Sequence, residues 1–320
     1  MDSIRKIALI PAKWASKQLV HHWLLQFSAN EQTADTVACV FCPELCRFSC
    51  PVAVVTGSDA VTPCNKNSVL YKEAKWPASQ TSLGELWPIY ACTGCGRCTE
   101  YCLHKVDVGK NLVAARTRFK WSKAREVVLQ LSDQLDLWGD LAFELGETAI
   151  GQKRLEVQLN NAGYHADGTR KVEVFEPKIA YVLKELGIKS DLIFDWERLD
   201  WRKLEGKRWY LHESVFFSRR LARFEEVNRF IEAAKKRGIE LVIDFEHGKD
   251  CIDCGGEGAY RYLFERESKQ MAREIWEKVR SRCDGVIGFG DRCLSHFRLS
   301  VGLRSDQCFD ILSQESLDKL

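Results

Sequence analysis

Eight of the fourteen cysteines in this chain fall into two short runs whose spacing could bind metal. The second run, CTGCGRCTEYC, has the spacing C-x2-C-x2-C-x3-C and supplies Cys92, Cys95, Cys98 and Cys102. With this spacing, three thiolates hold one iron–sulfur cluster while the fourth reaches a different cluster. Thiolates suit such clusters because they are soft ligands. The run is incomplete by itself, so a partner run is expected elsewhere.

The partner run lies upstream, in the segment CVFCPELCRFSC. It supplies Cys39, Cys42, Cys46 and Cys50, and Pro51 follows directly. Its spacing, C-x2-C-x3-C-x3-C-P, is one residue longer in the middle than the bacterial form of the motif. Proline stiffens the chain after the fourth cysteine because its ring fixes φ. Leu103 occupies the corresponding position after the other run, which changes the shape of that loop but not the ligands.

Together the two runs predict two [4Fe–4S] clusters with crossed ligation. The expected ligands of the first cluster are Cys39, Cys42, Cys46 and Cys102. Those of the second are Cys92, Cys95, Cys98 and Cys50. The alternative is a pair of zinc sites, since zinc also takes four cysteines from paired C-x2–4-C knuckles. The lone distant cysteine of each run favours clusters, and Cys64, outside both runs, is predicted to be a spare thiol.

Composition limits the class of protein. The 320 residues are 45% hydrophobic and 29% charged, a globular balance that suggests roughly two domains. A net charge of +2 gives no basic footprint for nucleic acid. No apolar stretch approaches the roughly 18 residues of a membrane span. Many cysteines without a secretory signal indicate metal or redox chemistry and predict a cytoplasmic protein.

The surrounding pattern predicts four segments. We expect an N-terminal helix within residues 1–34, most of it over 12–30, and an α-helical two-cluster domain over 35–150. The latter includes helical sequence from 111 to 147. Residues 151–205 are predicted to be a linker and domain remnant, with the most polar stretch at 158–168. Residues 206–320 then form a small α/β domain.

The α/β prediction comes from strand-like runs that alternate with helical segments. The predicted strands are Trp209–Leu211, Glu240–Phe245, Gly285–Phe289 and Phe309–Leu312. The predicted helices are Arg219–Arg237, Glu265–Arg282 and Arg292–Leu299. Such alternation is typical of a parallel sheet with flanking helices.

The two cysteine runs, followed by a helical stretch, resemble the dicluster helical ferredoxin domain of heterodisulfide reductase-type iron–sulfur proteins. That group includes the iron–sulfur subunits of glycolate oxidase, lactate utilisation systems and anaerobic glycerol-3-phosphate dehydrogenase. The resemblance covers residues 35–147. It implies electron transfer, usually between a flavoprotein partner and a further acceptor. It is specific to a class of protein but not to a substrate.

The C-terminal segment resembles half of the cysteine-rich CCG domain found in many of these proteins. WYLHESVFF (209–217), CIDCGGEG (251–258) and GFGDRCLSHFR (288–298) match its motifs in part. Three cysteines of the family pattern are replaced, by Val215, Asp253 and Gly290. The resemblance therefore implies a degenerate domain, without the family's five-cysteine non-cubane cluster or its disulfide-reducing chemistry. A second copy is reduced to a remnant within 171–206.

The predicted strands place several ligand-type residues at one edge of the sheet. Beyond the carboxyl ends of the strands lie His212, Cys251, Cys254 and Cys293. Ligands of open α/β sheets bind at this edge, so these residues could hold zinc or a further cluster. The alternative is that they serve packing, because free cysteine is commonly buried. Cys283 and Cys308 precede their strands and should lie near the opposite edge.

Three functions are compatible with this sequence. The leading hypothesis is an electron-transfer subunit that relays single electrons through two [4Fe–4S] clusters between a flavoprotein partner and another acceptor. One alternative is a self-contained oxidoreductase whose C-terminal thiols or metal act on a substrate. The other is a scaffold with structural clusters. A resident nucleotide or flavin is not expected, because the chain has no GxGxxG or P-loop signature.

Overall fold

The structure is a computed structural model, and a large part of the chain can be described from it. The described residues are 31–75, 86–117, 119, 121–124, 126–127, 153, 157, 172–174, 176–312 and 315–316. The helix predicted over 12–30 and the polar stretch at 158–168 lie outside them. Most of the helical sequence predicted from 111 to 147 lies outside them as well.

Short helices make up the described part of the N-terminal region. They are α1 (Glu31–Val40), α2 (Pro51–Thr56), α3 (Pro63–Lys75), α4 (Trp87–Tyr90), α5 (Arg97–Glu100) and α6 (Val108–Arg116). Proline begins α2 and α3, where its missing N–H costs nothing and its φ suits the helix. Most cysteines of the two runs lie in the connections between these helices, whereas Cys39 lies in the last turn of α1 and Cys98 in the first turn of α5. Pro51 therefore starts a helix directly after Cys50.

One hydrophobic core joins the N-terminal helices to the rest of the chain. Val37, Ile89 and Leu112 are fully buried in it, and Leu263 of the C-terminal region packs into the same core. Rings continue this contact, since Trp121 stacks on Phe264 with centroids 5.9 Å apart. The two cysteine-bearing regions are therefore packed against each other in the structure.

The C-terminal region is built on a mostly parallel sheet. Its strands are β3 (Arg208–His212), β4 (Glu240–Val242), β5 (Gly285–Gly288), β6 (Cys308–Asp310) and β7 (Glu315–Ser316). The order across the sheet is β4-β3-β5-β6-β7, and only β7 is antiparallel to its neighbour. Before this sheet, β1 (Val172–Val174) and β2 (Ser190–Leu192) form a separate parallel pair joined by α7 (Pro177–Glu185).

Helices cover both faces of the five-stranded sheet. The connecting helices are α8 (Phe224–Lys236), α9 (Tyr260–Leu263), α10 (Glu265–Val279) and α11 (Asp291–Val301). Trp209 and Leu211 of β3 pack on the face that α8 covers, whereas Tyr210 packs on the face that α10 and α11 cover. This alternation follows from the two-residue period of a strand. The predicted parallel sheet with flanking helices is confirmed.

The bounds of the predicted strands and helices differ from those observed by a few residues, and two differences have a visible cause. β4 ends at Val242 instead of Phe245, and the Phe245 N–H donates to Oδ1 of Asp244 at 2.8 Å instead of pairing with β3. The helix predicted over Arg219–Arg237 is divided. A π-helix spans Phe216–Arg220, and α8 begins after Ala222, whose φ of 57° breaks the helical path. Short 3₁₀ turns lie at Arg47–Ser49, Asp59–Val61, Trp196–Arg198, Trp201–Leu204, Gly248–Asp250 and Ser305–Gln307.

Within the described ranges, no helix combines the length and the apolar character that crossing a membrane requires.

Candidate functional site

The eight cysteines of the two runs surround two neighbouring small cavities. The cysteines that line the first cavity are Cys39, Cys42, Cys46, Cys64, Cys98 and Cys102. Those that line the second are Cys50, Cys92, Cys95 and Cys98. The fourth cysteine of each run thus faces the cavity of the other run. Each cavity is thus lined by the four cysteines that crossed ligation assigns to one cluster. Cys98 lines both cavities.

Helix α3 forms a wall shared by both cavities. Asn67 donates from Nδ2 to Sγ of Cys39 at 3.2 Å, and the Cys64 thiol donates to the carbonyl oxygen of Cys39 at 2.7 Å. Cys64, predicted to be spare, therefore lines the first cavity and supports its loop. Lys66, two residues after Cys64, points toward the second cavity, with Nζ 3.9 Å from Sγ of Cys50.

Lys66 is a candidate functional residue that no motif in the sequence indicates. Its side chain is only 1% exposed. Among the residues that the structure describes, no carboxylate forms an ion pair with it, and Sγ of Cys50 is its one side-chain partner. A buried ammonium group is costly unless an anion compensates its charge. The position therefore calls for negative charge in the second cavity, which ionised cysteines would supply.

The thiols of these cavities do not ionise readily by themselves. Burial, reinforced by neighbouring thiols, raises the pKa of Cys39 and of Cys46 to about 12. Burial and the nearby Asp253 raise the pKa of Cys95 to about 11. Metal ligation requires the thiolate, and a bound metal cation supplies the stabilisation that forms it. The two groups of converging cysteines could each hold a metal cofactor.

A third group of ligand-type side chains lies at the carboxyl edge of the sheet. The donor atoms of His212, Cys254 and Cys293 lie within 4.8 Å of one another, and all three residues are buried. They come from separate elements: the end of β3, the loop after β4, and the first turn of α11. Because β4 lies on one side of β3 and β5 on the other, the group occupies the topological switch point, where α/β sheets bind ligands.

Contacts within this group set the direction of the pKa shifts of His212 and Cys254. Burial by itself would lower the pKa of His212, but the adjacent Cys254 outweighs burial and raises it. Burial would likewise raise the pKa of Cys254, yet Cys293 and His212 together hold it well below its usual range. Nδ1 of His212 is buried with no hydrogen-bond partner among the described residues. The group could hold a metal ion.

Cys251, the fourth residue predicted for this site, lies apart from the other three. It is buried with Cys95, Val215 and Phe216, next to the second cysteine cavity. Arg219 spans the contact, since Nη1 donates to the carbonyl oxygen of Cys95 at 2.7 Å and Nη2 lies 3.8 Å from Sγ of Cys251. The structure therefore narrows the C-terminal group to His212, Cys254 and Cys293.

The π-helix that carries Arg219 also places Arg220 against the second run. Arg220 donates from Nε to the carbonyl oxygen of Gly94 at 2.9 Å and from Nη1 to Asp107 at 2.6 Å. A Cβ on Gly96 would lie 2.7 Å from the guanidinium carbon, and one on Gly109 would lie 2.6 Å from Nη2. Both glycines are therefore needed to admit the arginine. π-Helical turns are frequent at functional sites.

Two buried carboxylates border the C-terminal group. Burial and the Cys254 thiolate raise the pKa of Asp253 to about 6. Burial also raises the pKa of Glu257 to about 7, although that carboxylate accepts hydrogen bonds from the Ser214 hydroxyl and the Val215 N–H. Glu257 belongs to the segment CIDCGGEG. The sequence does not indicate its contact with Ser214 and Val215, which lie in the loop after β3.

Comparisons of the chain with protein-family models, with curated proteins and with solved structures found no match. The fold and the site therefore define only a broad class: a helix-rich chain with a parallel α/β sheet, two converging cysteine groups and one buried His–Cys–Cys group that could hold metal.

Proposed function

We propose that this protein transfers single electrons through two [4Fe–4S] clusters, between a flavoprotein partner and another redox acceptor. The observation that carries the proposal is the pairing of the cysteine runs around two cavities. Cys102 lines the cavity of the first run and Cys50 lines that of the second. Crossed pairing of this kind is how two-cluster ferredoxin motifs hold neighbouring clusters.

The spacing of donor atoms separates this proposal from two zinc sites. Around one zinc ion, Zn–S bonds of about 2.3 Å in a tetrahedron place sulfur atoms about 3.8 Å apart. In the described residues, only the group of His212, Cys254 and Cys293 has three donor atoms within 4.8 Å of one another. The eight N-terminal cysteines are spread more widely around their cavities, which favours a multinuclear cluster.

Bound [4Fe–4S] clusters would supply one-electron chemistry, with potentials tuned by hydrogen bonds, charge and exposure. The chain's own residues would hold and tune them. Asn67 donates to the sulfur of Cys39, and the buried Lys66 lies beside the sulfur of Cys50. Both contacts stabilise negative charge on the ligands. They therefore favour electron uptake.

A protein partner is favoured by an apolar surface around the first cavity. The large hydrophobic side chains exposed on the two cysteine loops are Phe41, Leu45, Phe48, Tyr101 and Leu103. They belong to the same loops that carry Cys42, Cys46 and Cys102. Clustered exposed apolar residues mark interaction sites. A flavoprotein docked here would lie against the first cluster.

A second candidate function is a metal-dependent reaction at His212, Cys254 and Cys293, and the unpartnered Nδ1 of His212 favours a metal there. Two cysteines and a histidine are a ligand set that zinc accepts. All three residues are at most 2% exposed, so solvent does not reach them. Three protein ligands leave one coordination position open, as in catalytic zinc sites, but the burial of all three residues argues against a site that must admit a substrate.

The test is a metal analysis of anaerobically purified protein. Two clusters of four irons predict about eight iron atoms per chain and visible charge-transfer absorption that bleaches on reduction. Anaerobic co-purification of a flavoprotein would support the relay. Zinc at about two per chain without iron would overturn the cluster proposal, and clusters that cannot be reduced would favour the scaffold.

A further inference from the structure

An apolar pocket of about 330 Å³ lies beside the second cysteine cavity. It opens between α6, α7 and the π-helix, and its exposed walls are almost entirely apolar. Its lining side chains include Cys92, Val113, Tyr181 and Phe216. Small-molecule sites commonly have about 300–1,000 Å³, mostly apolar walls and a few polar groups. The pocket is within this range.

The cationic side chains at its walls are already engaged. Arg220 pairs with Asp107 at 2.6 Å, and Lys110 pairs with Glu185 at 2.7 Å. Arg116 donates to the carbonyl oxygen of Ile89 at 2.9 Å and 3.0 Å. Nζ of Lys178 lies 5.2 Å from the centre of the Phe216 ring. Two of these cations are paired with carboxylates, and the other two contact a carbonyl oxygen or an aromatic ring. Because the exposed walls are almost entirely apolar, the pocket favours a neutral ligand over a phosphate or a carboxylate.

Two aromatic rings and one hydroxyl define the shape and polarity of the ligand. The rings of Tyr181 and Phe216 lie 5.4 Å apart and are inclined at 51°. The Tyr181 hydroxyl makes no hydrogen bond to any residue within the described ranges, so it can donate to a ligand. An aromatic wall favours a flat molecule, and the Tyr181 hydroxyl as donor favours a ligand with a carbonyl oxygen.

We propose that this pocket binds a neutral quinone, with its ring against Tyr181 and Phe216 and a carbonyl oxygen accepting from the Tyr181 hydroxyl. Cys92, an expected ligand of the second cluster, forms part of the wall. A quinone is the class of flat, neutral molecule that exchanges electrons. The choice of a quinone over other flat molecules rests on the proposed electron-transfer function, whereas the pocket's size and polarity do not.

The probe is menadione, titrated by calorimetry into anaerobically purified full-length protein whose iron content has been measured. We expect saturable binding of about one menadione per chain. Val113→Trp should weaken binding at least about tenfold, because the indole fills the pocket from a half-buried position. Leu299→Trp, on an exposed position of α11, is the matched control and should bind like the wild type.

Tyr181→Phe tests the carbonyl contact. Loss of one hydrogen bond, roughly 0.5–1.5 kcal/mol, should weaken menadione binding about twofold to tenfold. Binding of 2-methylnaphthalene, which has the ring but no carbonyl group, should not change. Retained iron content and visible absorption in each variant show that the adjacent cysteine site is intact.

The proposal is overturned if menadione shows no saturable binding, or if Val113→Trp binds it like the wild type. Equal losses for menadione and 2-methylnaphthalene in Tyr181→Phe would also overturn it, since the pocket would then recognise a hydrocarbon shape alone. Tighter binding of an anionic naphthoquinone sulfonate would exclude the neutral ligand. Iron analysis keeps the proposals separate. Protein with iron but no binding refutes the quinone site, whereas binding without iron refutes the clusters.

Discussion

The N-terminal cysteines and the C-terminal His–Cys–Cys group show two ways of assembling ligands. The N-terminal cysteines are closely spaced in sequence and lie mostly on loops between short helices, so most neighbours in a run face one cavity. His212, Cys254 and Cys293 are far apart in sequence and meet only because three segments end at one sheet edge. Local ligand sets can be recognised from spacing alone. Distant ones require the correct fold.

The N-terminal cysteine region and the C-terminal α/β region are in direct contact, and we expect them to have different roles. Arg219 and Arg220 bind backbone carbonyl groups of the second run, while Cys251 packs against Cys95. The C-terminal region thus packs against the second cysteine run. The His212, Cys254 and Cys293 group of this region is buried and closed to solvent. We therefore expect redox chemistry in the first region and a structural role in the second.

The largest expected effect comes from Cys50→Ser. If ligation is crossed, this change should remove or alter the cluster held mainly by Cys92, Cys95 and Cys98, with a loss of up to about four irons per chain. Iron analysis and electron paramagnetic resonance of the reduced protein provide the measurement. Damage confined to the cluster of Cys39, Cys42 and Cys46 would instead show that each run ligates its own cluster.

A double variant, Cys254→Ser with Cys293→Ser, tests the other side of the comparison. We expect loss of about one metal ion per chain, if zinc occupies the C-terminal group, and retention of about eight irons. We also expect no disulfide reductase activity in the wild type, because Val215, Asp253 and Gly290 occupy positions where the CCG pattern that this segment resembles has cysteines.

One result would contradict the assignment of redox chemistry to the N-terminal cysteines alone. A double variant that keeps its fold and both cluster signals, but loses turnover in the complex reconstituted with the redox partner, would make the C-terminal group a working site. Cys308→Ser is the matched control, because Cys308 begins β6 and is not part of the group.

The contact between the regions should depend on the ion pair of Arg220 and Asp107. Their side chains are only 10% and 24% exposed. Breaking a pair of this kind leaves a charge uncompensated, so Asp107→Asn should lower the free energy of unfolding by about 3 kcal/mol. Thermal unfolding provides the measurement. Asp200→Asn, which breaks the exposed pair with Arg202, should leave the midpoint unchanged.

The same pair predicts a pH dependence. Burial by itself would raise the pKa of Asp107, but Arg220 and the Lys110 N–H outweigh it and lower the pKa below the usual 3.8. A lowered folded-state pKa stabilises the protein above the usual value, and this contribution is lost as the pH falls through the folded-state value. The stability difference between wild type and Asp107→Asn should therefore shrink below about pH 4. A constant difference would show that Asp107 acts through packing alone.

The same contrast explains how far the sequence could predict the molecule. The spacing of the cysteine runs was enough to group residues that the structure brings together, and strand ends were enough to locate His212, Cys254 and Cys293. Cys251 could not be separated from that group, because its place depends on the π-helix and Arg219. The end of β4 could not be predicted either, because its apolar residues continue past Val242, where pairing with β3 stops.

The side chains on α3 that contact the cysteine sulfurs could not be predicted from the sequence, for a related reason. Lys66 and Asn67 lie on α3, in a stretch where the sequence offers no motif. Neighbours on one helix, they point to sulfurs of different cavities: Asn67 to Cys39 and Lys66 to Cys50. Only the arrangement of α3 between the two runs reveals this division. It also provides the most delicate test of crossed ligation.

Asn67→Leu removes the donor to Cys39 and retains the shape of the side chain. A hydrogen bond to a ligand sulfur stabilises the more negative, reduced state, so its loss should lower the potential of the first cluster. One hydrogen bond of about 1 kcal/mol corresponds to about 40 mV for a one-electron couple. Lys66→Met should lower the potential of the second cluster by at least as much, because a buried positive charge is removed. Potentiometric titration followed by electron paramagnetic resonance resolves the two signals, and each variant serves as the control for the other. If Cys39 and Cys50 bound the same cluster, both variants would shift the same signal. Shifts in different signals require that the two cysteines, although eleven residues apart in one run, belong to different clusters.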